Sequence, residues 1–189
     1  MNAVVRARTP HAVAALAPAA ALEPAQYLTF LLAGEAFAIN ILSIKEIIEY
    51  HSLTEVPMMP ASVRGVINLR GAVVPVMDLL ARFGRKPSEV TKRTCIVIVE
   101  VEADVDGEPE RQVIGVVVDA VNEVLDIAAA DIEAPPAFGA RIRTDFIQGM
   151  GKVRGKFVIL LNVNHVLSLD GSDLPDLAQT SADAIEAAR

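Results

Sequence analysis

Few side chains in this sequence are placed to do chemistry. The three histidines, His11, His51 and His165, are dispersed, and the single cysteine, Cys95, has no companion at metal-ligand spacing. Zinc needs a close-set group of nitrogen and sulfur ligands, and none is present. "DVDGE", at 104–108, opens like a calcium loop but lacks the spacing and the closing bidentate glutamate, so it is expected to be a solvated hairpin tip. No glycine-rich cradle for phosphate stands between a strand and a helix. Asp78 precedes "LLARF" and is expected to cap a one-turn helix, its carboxylate accepting the orphan amide hydrogens. Paired with His51 it would give a small β-barrel hydrolase, yet no nucleophile accompanies the two. No metal, cofactor or catalytic residue is expected.

Arg70 raises a different question. A turn arginine is ordinarily solvated, but Val66, Leu69 and Ala72 around this one are apolar. Arginine on an apolar surface is the residue type that anchors protein interfaces, with a packable stem and a fork of donors. Ile44 and Ile48 add aliphatic surface that a short helix could not bury on one face. Cys95, within "RTCIVIVE", reads as a buried or half-buried strand residue, with no adjacent histidine or lysine to lower its thiol pKa.

The elements that must hold these residues are mostly short strands. "QYLTFLLAGEAFAIN" predicts a hairpin around Ala33-Gly34-Glu35. "NILSIKEIIEY" sets Ile41, Ile44, Ile47 and Ile48 at helical spacing behind a capping Asn40, which predicts a short amphipathic helix. Strands are predicted at 63–69 and 72–77, turning at Arg70-Gly71, and at 94–102, 113–118 and 121–127, with "VEADVDGEPER" as a polar loop. "AAADIEAPPAFG" is a Pro-interrupted segment, "MGKVRGKFVILLNV" a further hairpin and "NHVLSL" a closing helical turn. The pattern is that of small barrels rather than an open parallel sheet.

Composition agrees. The chain has 189 residues, 52% of them hydrophobic, and a mean hydropathy of +0.41, enough for a large aliphatic core. A net charge of −7 argues against a nucleic-acid binder, which needs a basic stripe, and so against an oligonucleotide-binding barrel. No apolar run approaches a bilayer span, and one cysteine permits no internal disulfide. The opening stretch, with Arg6 and Arg8 before "HAVAALAPAAAL", resembles a signal peptide faintly. It lacks bulky residues and contains Pro18, so residues 1–25 are expected to be a disordered cytoplasmic tail. The folded part is expected at 26–169, followed by a tail at 170–189 that could form a frayed helix.

The two halves echo each other. Glu46 of "KEIIEY" matches Glu123 of "NEVLDI", 77 positions on; Glu55 of "EVP" matches Glu133 of "EAP", 78 on. Gly65 and Arg70 of "GVINLRG" match Gly149 and Arg154 of "GMGKVRG", both 84 on. Landmarks in one order with slowly growing offset indicate duplication of one unit into two related barrels.

"FAINILSIKEII", "VRGVI", "NLRGAVVPVMDL", "IGVVVDAVNEVLDI", "EAPPAFG" and "FIQGMGKVRGKFVILLNV", in this order, resemble the CheW family of bacterial chemotaxis coupling proteins, over roughly 26–169. The loop "EADVDGEPERQ" and the Ala-rich opening depart from the family pattern. The resemblance implies two five-stranded, SH3-like barrels side by side and a non-enzymatic adaptor, cytoplasmic and recruited to receptor arrays. Its partners would be the cytoplasmic tips of chemoreceptors, the regulatory domain of the histidine kinase CheA and other CheW-like domains in rings. A scaffold of another receptor–kinase pathway, such as surface motility, is the nearest alternative. Carried over residue by residue, receptor contacts fall on Ile44, Arg70 and Cys95, and kinase contacts on Glu46, Ile47, Gly65 and Phe138. Cys95 would then be partly exposed, against its strand reading. Phe138 could instead fold back onto the core.

Overall fold

The structure is a computed structural model that describes residues 23–105, 107–135 and 142–168. Phe138 and the expected tails, apart from residues 23–25 of the first, lie outside these residues. The described chain forms β1 (Ala25–Leu32), β2 (Glu35–Asn40), β3 (Ile44–Glu49), β4 (Val63–Leu69), β5 (Ala72–Asp78), α1 (Leu79–Arg82), β6 (Cys95–Val105) and β7 (Glu108–Val118). It continues through β8 (Ala120–Ile127), β9 (Ile132–Glu133), β10 (Ile147–Val153), β11 (Lys156–Leu161) and α2 (Val163–Val166), with short 3-10 turns between some of them. Among the described residues no helix is long and apolar enough to cross a membrane.

The strands make two curled sheets of SH3-like form. One has the order β3-β6-β7-β5-β4; the other has β8-β1-β2-β11-β10-β9. Placed side by side, the orders correspond: β3 with β8, β6 with β1, β7 with β2, β5 with β11, and β4 with β10. The duplication is therefore visible in topology, but the repeat along the chain is not the unit in space. Each repeat is a hairpin followed by three strands, with the two-residue β9 added in the second, and each hairpin joins the sheet of the other repeat's strands. The joins are parallel, β5 on β7 with Val76 opposite Gly115, and β11 on β2 with Leu160 opposite Ala38. The hairpin residue is small in both. A Cβ on Gly115 would lie 2.8 Å from Ile96 Cγ2, so the space is already filled.

This exchange puts the main core between the barrels. Along β6, Val97, Val99 and Val101 enter a shared core with Leu28, Phe30, Leu32, Phe37 and Ile39 of the other sheet, while Ile96 and Ile98 fill the first barrel. The second barrel is filled by Tyr27, Ala38, Ile127, Val158 and Leu160. The exchanged hairpins are thus buried on both faces, which is why they read as near-continuous apolar runs. Phe30, Phe37 and Phe83 stack in sequence through the shared core, with centroids 6.3 and 5.8 Å apart, and Phe146 continues the row tilted against Phe83 at 6.3 Å. Arg82 reaches across to the end of α2, donating to the carbonyls of Val166 at 3.1 Å and Ser168 at 2.9 Å.

Two expectations are corrected. The predicted helix over 41–48 is a single 3-10 turn, Ile41–Ser43, followed by strand β3; Asn40 does cap the turn, accepting from the Leu42 amide at 2.9 Å. Burial in β3 alternates residue by residue, and β-branched isoleucines on a half-buried pleat favour the extended form. A bulge between Ile44 and Glu46 brings a period-2 strand close to helical spacing. The loop expected at 101–111 is mostly ladder, paired from Val101 with Gln112 out to Val105 with Glu108.

Candidate functional site

The site is built on strand β3, at the edge of the first sheet, and on the turn joining β4 to β5 at the other edge. Arg70 and Gly71 occupy that turn with φ of 53° and 89°, the left-handed pair that a two-residue hairpin requires. The Asn68 side chain closes it, accepting from the Gly71 amide at 2.9 Å. The turn carries the Arg70 side chain outward, 80% exposed, and Arg70 Nη2 donates to Glu46 Oε2 at 2.9 Å. This ion pair ties the two edges of the curled sheet across its seam.

On β3, directly paired residues share a face. Ile44 lies opposite Val99, Ile47 opposite Val97 and Glu49 opposite Cys95, so Ile44, Ile47, Glu49 and Cys95 share the side facing the inter-barrel core, at its uncovered margin. Ile44 and Cys95 are half-buried against that core, and Ile47 is exposed. Cys95 is thus half-buried on its strand, as the strand reading expects, and keeps some exposed surface. Its thiol donates to the Arg93 carbonyl at 3.4 Å. Glu46 and Ile48 point to the opposite face. Lys45 binds Glu100 of β6 at 2.6 Å, and this bond holds the Glu100 carboxyl below its ordinary range.

The arrangement joins what the family resemblance keeps apart. Glu46, expected on the kinase side, is bonded to Arg70, expected on the receptor side. Gly65 is buried beneath Leu53 and Thr54, with φ +152° and the Thr54 carbonyl where a Cβ would stand. Val73, 71% exposed just past the turn, escaped sequence reading; its place two residues beyond Gly71 was the available signal.

Asp78 does what its position predicts. It is fully buried and caps α1, accepting from the amides of Leu80 and Ala81. Its carboxylate is further held by Ser88 and Arg64. His51 Nδ1 lies 3.2 Å from the Glu49 carbonyl. No group of three His, Cys, Asp or Glu residues among the described residues is placed to hold a metal ion.

An exposed arginine-marked seam beside an aliphatic sheet edge, on paired SH3-like barrels, is the build of a CheW-like scaffold. The chain belongs to the CheW family: the CheW-like domain matches residues 26–170. It is 33% identical over 141 residues to the chemotaxis protein CheW of Rhizobium meliloti, covering 75% of this chain and 86% of that one. The CheW of Klebsiella aerogenes is 30% identical, with coverage of 80% and 86%. Protein FrzA of Myxococcus xanthus is 29% identical, with coverage of 66% and 74%. The crystal structure of the scaffolding protein TtCheW from Thermoanaerobacter tengcongensis superposes with a TM-score of 0.68 at 34% identity, covering 79% of this chain and 92% of that one.

Proposed function

We propose that this chain is a non-enzymatic, cytoplasmic adaptor that couples the cytoplasmic tips of chemoreceptors to the regulatory domain of the histidine kinase CheA. Membership of the CheW family supports this, and the exposed Arg70, held by Glu46 at the sheet seam, is the observation that carries it. Receptor tips are helical hairpins with apolar stripes and carboxylates. Ile44, Cys95 and Arg70 supply aliphatic walls and a forked donor, the chemistry such a hairpin needs. The kinase face uses Glu46 and Ile47, with Gly65 shaping it from beneath and Phe138 as a further contact. Unlike barrel ends can join head to tail with the similar ends of the kinase domain, and heterologous contacts of this kind close into rings.

Arg70→Ala is expected to weaken receptor binding by about 2 kcal/mol, roughly 30-fold, while the thermal melt stays unchanged. Titration of a labelled receptor tip, with and without kinase, reads this directly. Undiminished affinity would remove Arg70 from the contact and with it the proposed groove.

The ion pair makes a second expectation. Because Glu46 positions Arg70, Glu46→Ala should weaken receptor as well as kinase binding, the receptor loss being about 0.5 kcal/mol, as suits an exposed pair. In the Arg70→Ala background that receptor loss should vanish. A double-mutant cycle giving additive losses would show that the two residues act separately.

A further inference from the structure

The duplication leaves a second face of the same build on the other barrel. Glu123 and Val124 of β8 stand 77 positions beyond Glu46 and Ile47, and Arg154 and Phe157 of the β10–β11 hairpin stand 84 beyond Arg70 and Val73. Arg154 has φ 50° and is followed by Gly155 at 77°, repeating the Arg70-Gly71 turn. Arg154 Nη1 meets Glu123 Oε1 at 3.5 Å, the counterpart of the Arg70–Glu46 pair, and again joins the hairpin turn to the strand across the seam. The apolar members match too: Val124 and Ile47 are each 43% exposed, and Phe157 is 52% exposed. A shared fold accounts for the turns. It does not require the exposed apolar side chains or the arginine to recur.

The second face also differs in charge. Lys152 and Lys156 flank the tip, both exposed and without an ion-pair partner among the described residues. Lys152 pairs with Phe157 across the hairpin and shares its face, Arg154 stands at the tip bonded to Glu123, and Lys156 lies on the other face, in a chain whose net charge is −7. The acidic Asp131 and Glu133, at the far side of β10, form no ion pair with these lysines.

We infer that this face docks an amphipathic helical hairpin carrying carboxylates beside an apolar stripe, which makes the chain bivalent for that class of partner. Charge complementarity selects the occupant: Lys152 and Arg154 beside an exposed phenyl ring call for acidic groups around an apolar stripe. A second copy of the chain docking with either of its like faces would set arginine beside arginine. The inference rests on reading the Arg70 face as a receptor groove, and extends it to a site that reading does not include.

The test is calorimetric titration of the full chain with the purified, soluble helical tip of a chemoreceptor. Wild type should bind two hairpins. Arg70→Ala should leave one, Lys152→Glu with Lys156→Glu should leave the other, and the combination should leave none, with at least a tenfold fall in affinity at each altered face. Both lysines are exposed, so unchanged melting temperatures are expected, and Phe157→Ser provides an uncharged second variant of the same face. A single site, lost with Arg70→Ala and untouched by the lysine and Phe157 changes, overturns the second face and leaves the first standing. No binding by wild type at all overturns both. Loss of self-association or of kinase binding on the lysine changes, with two hairpins still bound, also overturns it, assigning the face to a barrel.

Discussion

Asp78→Ala is expected to lower the unfolding free energy by about 3–5 kcal/mol, the range for removing one partner of a buried ion pair. Asp78 is the most heavily used side chain of the first barrel. Its Oδ1 accepts from the amides of Leu80 at 2.9 Å and Ala81 at 3.3 Å and from the Ser88 hydroxyl at 3.3 Å. Its Oδ2 accepts from the Ser88 amide at 2.8 Å and faces Arg64 Nε at 3.4 Å. One carboxylate thus starts α1, fastens the 79–88 segment to the end of β5 and neutralises Arg64, whose side chain is mostly buried. Alanine would leave the amide donors unsatisfied and the guanidinium without a counterion.

The second barrel supplies an internal control. Asn162 stands 84 positions on and caps α2, accepting from the His165 amide at 3.4 Å, and as a neutral amide it neutralises no cation. Asn162→Ala should cost about 1 kcal/mol, the value of a lost cap alone. Urea unfolding of both variants measures the difference. Equal, small losses would mean that the Arg64–Asp78–Ser88 cluster is replaced by water at little cost.

Gly65→Ala is expected to destabilise the protein by roughly 3 kcal/mol, combining an unfavourable backbone with a clash. At φ +152° any side chain is strained, and a Cβ would lie 2.5 Å from the Thr54 carbonyl oxygen and 3.2 Å from Leu53 Cβ. That carbonyl cannot simply swing away, because it accepts the Val66 amide at 2.8 Å while the Thr54 amide donates to the Val66 carbonyl at 3.0 Å. The 53–54 segment must lift off β4 or the bulge must re-form.

Gly149, at the matching bulge, is gentler. Its Cβ would meet the Ile132 methyl Cγ2 at 2.6 Å and the Glu133 carbonyl oxygen at 3.1 Å, a looser approach than the 2.5 Å at Gly65, and its φ lies outside the left-handed region. Gly149→Ala should cost about 1 kcal/mol. This contrast bears on binding. If Gly65 touches the kinase directly, Gly65→Ala should weaken kinase binding beyond the fraction of protein that unfolds. If it acts through packing, binding per folded molecule at low temperature should change only as far as the 53–54 segment is displaced. Chemical unfolding paired with kinase titration on one sample separates the cases.

Much of this was legible in the residues. Arg70-Gly71, Arg154-Gly155 and Ala33-Gly34 mark hairpin turns because glycine and a left-handed neighbour are local requirements, satisfied within four residues. The Asp78 cap was legible for the same reason. The recurrence of Gly65, Arg70 and Glu46 at 77 to 84 positions showed duplication, since spacing is preserved when a unit is copied. The strand at 44–49 was misread because a run of four isoleucines with one bulge fits either period, and only the pleat of β6 beside it decides. The exchange of hairpins belongs to tertiary structure alone. "CIVIVEV" and "LTFLL" show that both faces of a strand are buried, but not which core each face enters. That choice is made by packing between segments far apart in the chain, where Gly115 and Ala38 leave room for a parallel neighbour. The pairing of Arg70 with Glu46, and of Arg154 with Glu123, is of the same kind: local sequence sets each charge at an edge, and only closing the sheet brings the edges together.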